Sequence, residues 1–238
     1  MQLIIPMTGE GSRFVAAGYE RLKPFIIIHD KPLLYWVLKM FPSIEQSKII
    51  LILRRDHWEN FSYIQNEINH YASQAKIVLI DRFDKRGPIP NILQANEYIN
   101  DLNPVFVSYC DFYMQWNLKK YLSELSVLNP DGAIPCYTGF HPHLLIKENL
   151  YASCLRDSNN YLLEVREKYS YTEDKTKTLH SPGVYYYKNG QLLKKYYTKA
   201  IANNLNTNGE YYCSLPYNLM VQDKLKIHVP VNISHFCQ

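Results

Sequence analysis

Short, unbroken apolar runs recur along the first half of the chain, separated by stretches with helical spacing or by polar loops. Residues 3–7 (LIIPM) read as a buried strand that enters the loop Thr8-Gly9-Glu10-Gly11. Residues 31–41 (KPLLYWVLKMF) place apolar side chains at helical spacing, with Pro32 suited to a first helical turn. The runs KIILIL at 48–53, AKIVLI at 75–80 and VFVSY at 105–109 predict three more strands. Helices over 60–73 and 91–99 fall between them, the second after a loop over 84–90. Strands without a polar face imply a parallel sheet covered on both sides, with right-handed crossovers. Ligands of such sheets bind beyond the carboxyl ends of the strands. Gly9, Gly11 and Asp111 all fall at such ends.

The second half has a different pattern. Helices are predicted over 118–128, 191–203 and 211–222. Strands are predicted over 131–137, 183–187 and 225–231, with a hairpin region over 150–166. Residues 168–180 are polar and aperiodic, which predicts a mobile loop. No internal repeat or low-complexity tract interrupts the chain. Residues 1–238 therefore read as one domain whose pattern changes between 1–115 and 116–238.

Composition narrows the classes. With 47% hydrophobic and 20% charged residues in 238, the chain can bury a core without disulfide or metal staples. No run of eighteen apolar residues exists and the N-terminus lacks the features of an export signal. Membrane partners are therefore not expected, and the expected location is cytoplasmic. The net charge of +4 is too mild to argue for nucleic acid, and the 21 tyrosines are spread rather than interleaved with a basic stripe. Five widely spaced cysteines without a CxxC pair fit reduced, buried thiols.

The segment Gly9-x-Gly11-x-Arg13-Phe14, followed by Lys23-Pro24, carries the most chemistry. A glycine turn after a strand brings backbone N–H groups close to phosphate oxygens, and Arg13 and Lys23 can add charge-assisted hydrogen bonds. A dinucleotide fingerprint would need a third glycine where Phe14 stands, and no Gly-Lys-Ser/Thr of a Walker loop is present. Asp111 at a strand end suits a magnesium ligand, although an aspartate there can also simply cap a turn. His141-Pro-His143 is poorly arranged to converge on a metal. Ser12 and Thr8 suit phosphate or base contacts better than nucleophilic roles, since no adjacent base is identifiable.

The opening IIPMTGEGSRF…KPFI…KPLLYWV resembles the bacterial nucleotidyltransferases that make sugar nucleotides for capsule and lipopolysaccharide. The resemblance continues through RGPIPNILQANEYI, VSYCDFY, DGAI, EVREK, SPGVYYY and NGEYYCSLPYN, nearly the whole chain. It implies an α/β fold, Rossmann-like and GT-A-like, with a mixed, mostly parallel sheet flanked by helices, and a single domain 1–238 with a nucleotide-binding half (1–115) and an acceptor-binding half (116–238). It also implies Mg²⁺-dependent joining of a nucleoside triphosphate to a phosphorylated small-molecule acceptor, with release of pyrophosphate. Arg13 and Lys23 then take catalytic roles, and Asp111 holds the metal. Met7, Thr8, Gly9, Glu10, Gly11, Ser12, Gly87, Pro88 and Asn91 fall in the nucleotide-binding segments. Tyr113, Glu167, Lys168, Gly183 and Glu210 fall in the acceptor-binding segments. Among capsule-pathway members some join CTP to L-glutamine phosphate, an amino-acid phosphate. CTP and that acceptor are accordingly the favoured expectation here, with a sugar 1-phosphate as the alternative. A homo-oligomer is compatible with the resemblance. A non-catalytic nucleotide-binding relative is the reading of another class, and a glycosyltransferase is disfavoured because Asp111 is followed by Phe112 and Tyr113 rather than a DxD pair.

Three positions depart from the resembled pattern. Pro90 stands where thymidylyltransferases carry a base-reading glutamine. Gln238 stands nearest the place of a distal metal-binding carboxylate. Tyr169 follows Lys168 where the family usually has proline.

Overall fold

The structure is a computed structural model and describes residues 1–237, apart from the side chains of Arg13 and His143. Pleating sends Leu3 and Ile5 of β1 (Gln2–Pro6) to one face of a sheet and Ile4 to the other, and none of the three is exposed. A short helix α1 (Ser12–Ala16) follows, then a ribbon of β2 (Ile27–Ile28) and β3 (Lys31–Pro32), then α2 (Leu33–Lys39). β4 (Ile49–Arg54) repeats the two-faced pattern: Ile50 and Ile52 join Ile4, while Leu51 and Leu53 join Leu3. Helices α3 (Arg55–Asn60) and α4 (Ser62–Tyr71) precede β5 (Lys76–Ile80), and α5 (Pro88–Leu93) precedes β6 (Val105–Ser108). Each enclosed aliphatic side chain of these strands contributes about 2 kcal/mol of hydrophobic stabilisation, which is why both faces must be covered.

Two boundaries moved for local reasons. The helix predicted over 31–41 starts at Leu33, because Lys31 and Pro32 pair with Ile28 and Ile27. The helix predicted over 91–99 starts earlier, at Pro88, with prolines tolerated in its first turn, and gives way to a 3₁₀ turn at Asn96–Tyr98. α3 was not predicted, since RDHWEN has no apolar period.

Beyond Asp111 come β7 (Tyr113–Trp116) and α6 (Leu118–Leu128). The side chain of Asn117 accepts the Lys120 N–H at 2.9 Å and Asn129 ends α6 in a left-handed conformation, so its bounds match the prediction. β8 (Gly132–Ala133), β9 (Ser153–Arg156), β10 (Leu162–Arg166), β11 (Leu179–His180) and β12 (Val184–Tyr187) follow. The last elements are α7 (Gly190–Ala202), α8 (Pro216–Gln222), β13 (Ile227–His228) and β14 (Ile233–Cys237). The central sheet has seven strands in the order β13-β8-β12-β6-β1-β4-β5. β1 runs parallel to β4 and β6, and β4 to β5, whereas β12 runs antiparallel to β6 and β8. The parallel strands all end at one edge, and the loops that follow β1, β5 and β6 meet there.

The predicted hairpin at 150–166 is β9 with β10, widened by β11 into a three-stranded sheet. Residues 168–180 are not the free loop that their polarity predicts. Asn149 and Ser153 both donate side-chain hydrogen bonds to the Tyr169 carbonyl, Gly139 N–H donates to Thr176 O at 2.7 Å, and His180 is buried. β14 pairs antiparallel with β7, a pairing that no hydrophobic alternation announced. The predicted helix over 211–222 starts only at Pro216, and the strands predicted over 131–137 and 225–231 shorten to two residues each. All five cysteines are free; Cys136, Cys154 and Cys213 are buried as expected, but Cys110 is half-buried and Cys237 exposed. Among the described residues no helix is long and apolar enough to cross a membrane.

Candidate active site

The loops after β1, β5 and β6 enclose a cavity of about 420 Å³. Thr8, Gly9, Glu10, Gly11 and Ser12 form one wall, and Gly87, Pro88 and Asn91 belong to the opposite one. Met7, also predicted here, is a core residue with 3% exposure and does not line the cavity. Gly11 has φ +61, and its carbonyl accepts the N–H groups of Phe14 and Val15, so the turn opens directly into α1. Arg13 lies on α1; its side chain is outside the described residues. Glu10 ties the loop to its surroundings through Lys85 Nζ at 3.2 Å and Arg54 at 3.8 Å.

Asn91 is 1% exposed, and its amide is engaged within its own wall. Its Nδ2 donates to Asp84 O at 2.8 Å and Gly87 O at 2.9 Å, and its Oδ1 accepts the Asp84 N–H at 2.9 Å. Three bonds to one loop shape the wall from behind rather than present an amide to a base. Gly87 has φ +107, and a Cβ there would stand 2.9 Å from the Tyr211 N, so the close approach of the two chain segments requires glycine.

A second chamber of about 680 Å³ adjoins the first. Glu167, Lys168, Gly183 and Glu210 line it as predicted; Tyr113 does not. Tyr113 lies in β7, and its ring packs edge-on against Trp36 at 5.9 Å. Gly183 has φ +106, and a Cβ would meet Tyr109 Cδ2 at 2.7 Å. The glycine thus admits the Tyr109 ring, whose hydroxyl accepts the Cys213 N–H at 3.2 Å. Lys168 adopts φ +53, places its N–H on Tyr151 O at 3.0 Å, and holds Nζ 5.5 Å from the Tyr212 ring centre. Glu167 is half-buried with its carboxyl end enclosed, and it accepts a hydrogen bond from Ser214 Oγ. Burial pushes this carboxyl up from 4.5 to about 7, with Ser214 and Lys168 opposing the rise and the Glu210 charge adding to it.

Lys23, Tyr109, Asp111, Glu210 and Tyr212 belong to both chambers. At this junction Lys23 Nζ donates to Asp111 Oδ2 at 2.6 Å and lies 4.9 Å from the Phe14 ring centre. A 3₁₀ turn over Lys23–Phe25, anchored by buried Pro24 and Phe25, fixes the lysine; the end of β6 delivers the aspartate. Both side chains are about a quarter exposed, so the pair faces the chambers rather than the core. Magnesium usually takes one or two carboxylates and completes its shell with phosphate oxygens and water. Asp111 at the mouth of the cavity under the glycine loop fits that requirement, and among the described residues no group of three His, Cys, Asp or Glu forms a protein-only cage. Gln238 lies outside the described residues.

Several lining residues were not singled out from the sequence. Lys85 brings a second cation to the glycine loop, and Tyr109, Tyr151, Tyr185 and Tyr212 wall the second chamber. The Lys85-Arg86 pair before Gly87 was a visible signal for the first; nothing in a tyrosine-rich sequence marked which rings face a cavity.

Residues 3–175 match the family described as a MobA-like NTP transferase domain. No curated protein matches the chain. Its fold is shared with the nucleoside-diphosphate-sugar pyrophosphorylase from Vibrio cholerae RC9, at 18% identity over 97% of this chain and 91% of that one, TM-score 0.69. HddC from Yersinia pseudotuberculosis complexed with GMP-PN matches at 18% identity over 100% and 92%, TM-score 0.63. A UDP-glucose pyrophosphorylase complexed with UDP-glucose matches at 13% identity over 97% and 90%, TM-score 0.70. The family match spans well over half of the chain and includes the glycine loop, Lys23 and Asp111, and the shared fold extends over the remainder: the chain belongs to the MobA-like NTP transferase family of nucleotidyltransferases.

Proposed function

We propose that the protein transfers the nucleotidyl group of a nucleoside triphosphate to a phosphorylated small-molecule acceptor. The observation that carries this reading is the pair of chambers meeting at Lys23 and Asp111. An oxygen of the acceptor phosphate forms a bond to the α-phosphorus, the bond from that phosphorus to the bridging oxygen breaks, and pyrophosphate departs with the electron pair. The nucleophile is already anionic, so no general base is needed, and the chain's work is alignment and charge compensation. Lys23 reaches both chambers and can hold the α-phosphate and acceptor phosphate at one point. Backbone N–H groups of the glycine loop, with Lys85, would meet the β- and γ-phosphates, the task for which the sequence singles out Arg13. Asp111 would hold Mg²⁺, which when bound supplies charge neutralisation at the phosphates.

The favoured donor is CTP. Asn91 is engaged by its own loop and Pro90 offers no side-chain amide, so neither reproduces a glutamine reader of thymine or uracil. For the acceptor, L-glutamine phosphate is the first reading, and the product would be an activated precursor for a capsule or surface polysaccharide. A sugar 1-phosphate is the second; it is favoured by the likeness to pyrophosphorylases of nucleoside-diphosphate sugars. The deciding experiment is pyrophosphate release with Mg²⁺ across four triphosphates, against L-glutamine phosphate and a panel of sugar 1-phosphates. One productive pair establishes base and acceptor together. Silence with every pair, alongside retained nucleotide binding, would replace this reading with that of a non-catalytic nucleotide binder.

A further inference from the structure

Lys23 reaches the junction from a turn that the chain before it does little to support. Residues 17–20, between α1 and that turn, are all exposed. A lysine stem is long and flexible, so where its ammonium stands depends on how firmly its own backbone is held. The hold comes from α4. Ile64 and Ile68 bury this helix in the same apolar cluster as Leu3 and Ile5 of β1 and Leu51 and Leu53 of β4. Tyr63 and Glu67 stand one turn apart on it and so share a face.

Both side chains grip residues beside Lys23. The Leu22 N–H donates to the Tyr63 hydroxyl oxygen at 3.0 Å, while the Leu22 carbonyl accepts the Phe25 N–H at 2.8 Å. Arg21 Nη1 donates to Glu67 Oε1 at 2.8 Å and to the Phe25 carbonyl at 3.3 Å. The same guanidinium lies 4.9 Å from the Tyr63 ring centre, and the Phe25 ring meets that ring edge-on at 5.9 Å. Arg21, Leu22 and Phe25 are thus clasped to α4, and Lys23 sits inside the clasp with its ammonium on Asp111. With side chains 36% and 18% exposed, the Arg21–Glu67 pair adds little to stability. What a guanidinium shared among a carboxylate, a carbonyl and a ring face does supply is a fixed position. β6, which delivers Asp111, lies beside β1 in the sheet that α4 covers, so one frame sets both the ammonium and the carboxylate.

We propose that Tyr63 and Glu67 are positioning residues for the transfer, acting through Leu22 and Arg21 to hold Lys23 where the two chambers meet. This assignment rests on the nucleotidyl-transfer reading. Neither residue lines a chamber, so their effect reaches the reaction through the lysine. Lys23 matters most while the two phosphates are being joined, so loosening it lowers kcat and spares KM for the triphosphate.

The test uses the full chain with Tyr63→Phe, Glu67→Gln, Lys23→Met and the double variant of Tyr63→Phe with Lys23→Met. Hydrogen exchange reports the clasp itself: Tyr63→Phe should speed exchange of the Leu22 amide severalfold and leave the amides of β1 and β6 unchanged. With a donor and acceptor that give pyrophosphate, Tyr63→Phe and Glu67→Gln should each lower kcat about tenfold or more, with KM for the triphosphate within about twofold of wild type. In the Lys23→Met background, followed in single turnovers with excess enzyme, Tyr63→Phe should change the rate by no more than about twofold, whereas a merely structural role would lower both backgrounds alike. Unchanged exchange at Leu22, unchanged kcat in both single variants of α4, or an equal fall in both backgrounds overturns the positioning assignment and leaves nucleotidyl transfer standing. Faster exchange at Leu22 in a chain whose wild type releases no pyrophosphate with any pair overturns the transfer reading, and the assignment with it.

Discussion

Replacing Glu167 by glutamine should stabilise the protein, and more so as the solution becomes more alkaline. The carboxyl rises from 4.5 to about 7 in the folded chain because it is enclosed and has Glu210 nearby. The sign follows from proton binding: below 4.5 both states hold the proton and the group contributes nothing. Between 4.5 and 7 the unfolded chain releases the proton while the folded chain keeps it, so stability falls as pH rises. Above 7 the loss levels off at the full shift, about 3 kcal/mol at 1.36 kcal/mol per pKa unit. Glutamine keeps an oxygen to accept from Ser214 and cannot ionise, so it removes this loss. The difference between variant and wild type should therefore grow by about 2–3 kcal/mol from about pH 5 to about pH 8.5, or roughly 5–10 °C in Tm for a chain of this size. Urea unfolding of both proteins across that range measures the difference directly, since every other titrating group is common to the two. Parallel stability profiles would falsify the enclosure of Glu167.

Asp111→Asn should abolish Mg²⁺-dependent pyrophosphate release while leaving the unfolding midpoint within about 1 kcal/mol of wild type, because the pair with Lys23 is partly exposed; normal turnover would remove Asp111 from the site. Gly183→Ala should cost about 3 kcal/mol by combining a left-handed backbone with a Cβ 2.7 Å from the Tyr109 ring, read as a lowered denaturation midpoint. Asn91→Leu should lose about 3 kcal/mol by leaving the Asp84 N–H and two carbonyls unpaired. It should also raise KM for the triphosphate more than it lowers kcat, since it loosens a wall and touches no reacting atom; an unchanged KM would separate this loop from nucleotide binding.

The strands β1, β4 and β6 were legible because both of their faces are buried, which leaves a run of Ile, Leu and Val that few other structures would use. α6 was legible to the residue because its periodicity, its Asn117 cap and the left-handed Asn129 agree. β7 and β14 were not, because what makes them strands is each other, across more than a hundred residues, and their own patterns are mixed. The order within 168–180 was hidden for a similar reason: its anchors are side chains of Asn149 and Ser153 reaching to a backbone carbonyl, which no local period records. Within the site, the glycine loop, Lys23 and Asp111 could each be picked out from motif and resemblance. Their meeting across 88 residues became visible only in three dimensions. Residue type alone could not tell that Asn91 faces its own loop, or that Tyr113, two positions past Asp111, faces Trp36 instead of the second chamber.

The pairing of β14 with β7 also sets a timetable for a chain made on the ribosome. Tyr113–Trp116 emerge directly after Asp111, yet their partner Ile233–Cys237 is synthesised about 120 residues later. At roughly 5–20 residues per second that is an interval of about 6–24 s, during which the strand next to the junction aspartate has an open edge. The parallel part of the central sheet can form early from β1, β4, β5 and β6, which are all complete by Ser108. The segment that follows Asp111 cannot gain its antiparallel partner until residues 233–237 have left the exit tunnel, so the newborn protein can assemble the walls around its glycine loop well before it can brace the strand just beyond Asp111.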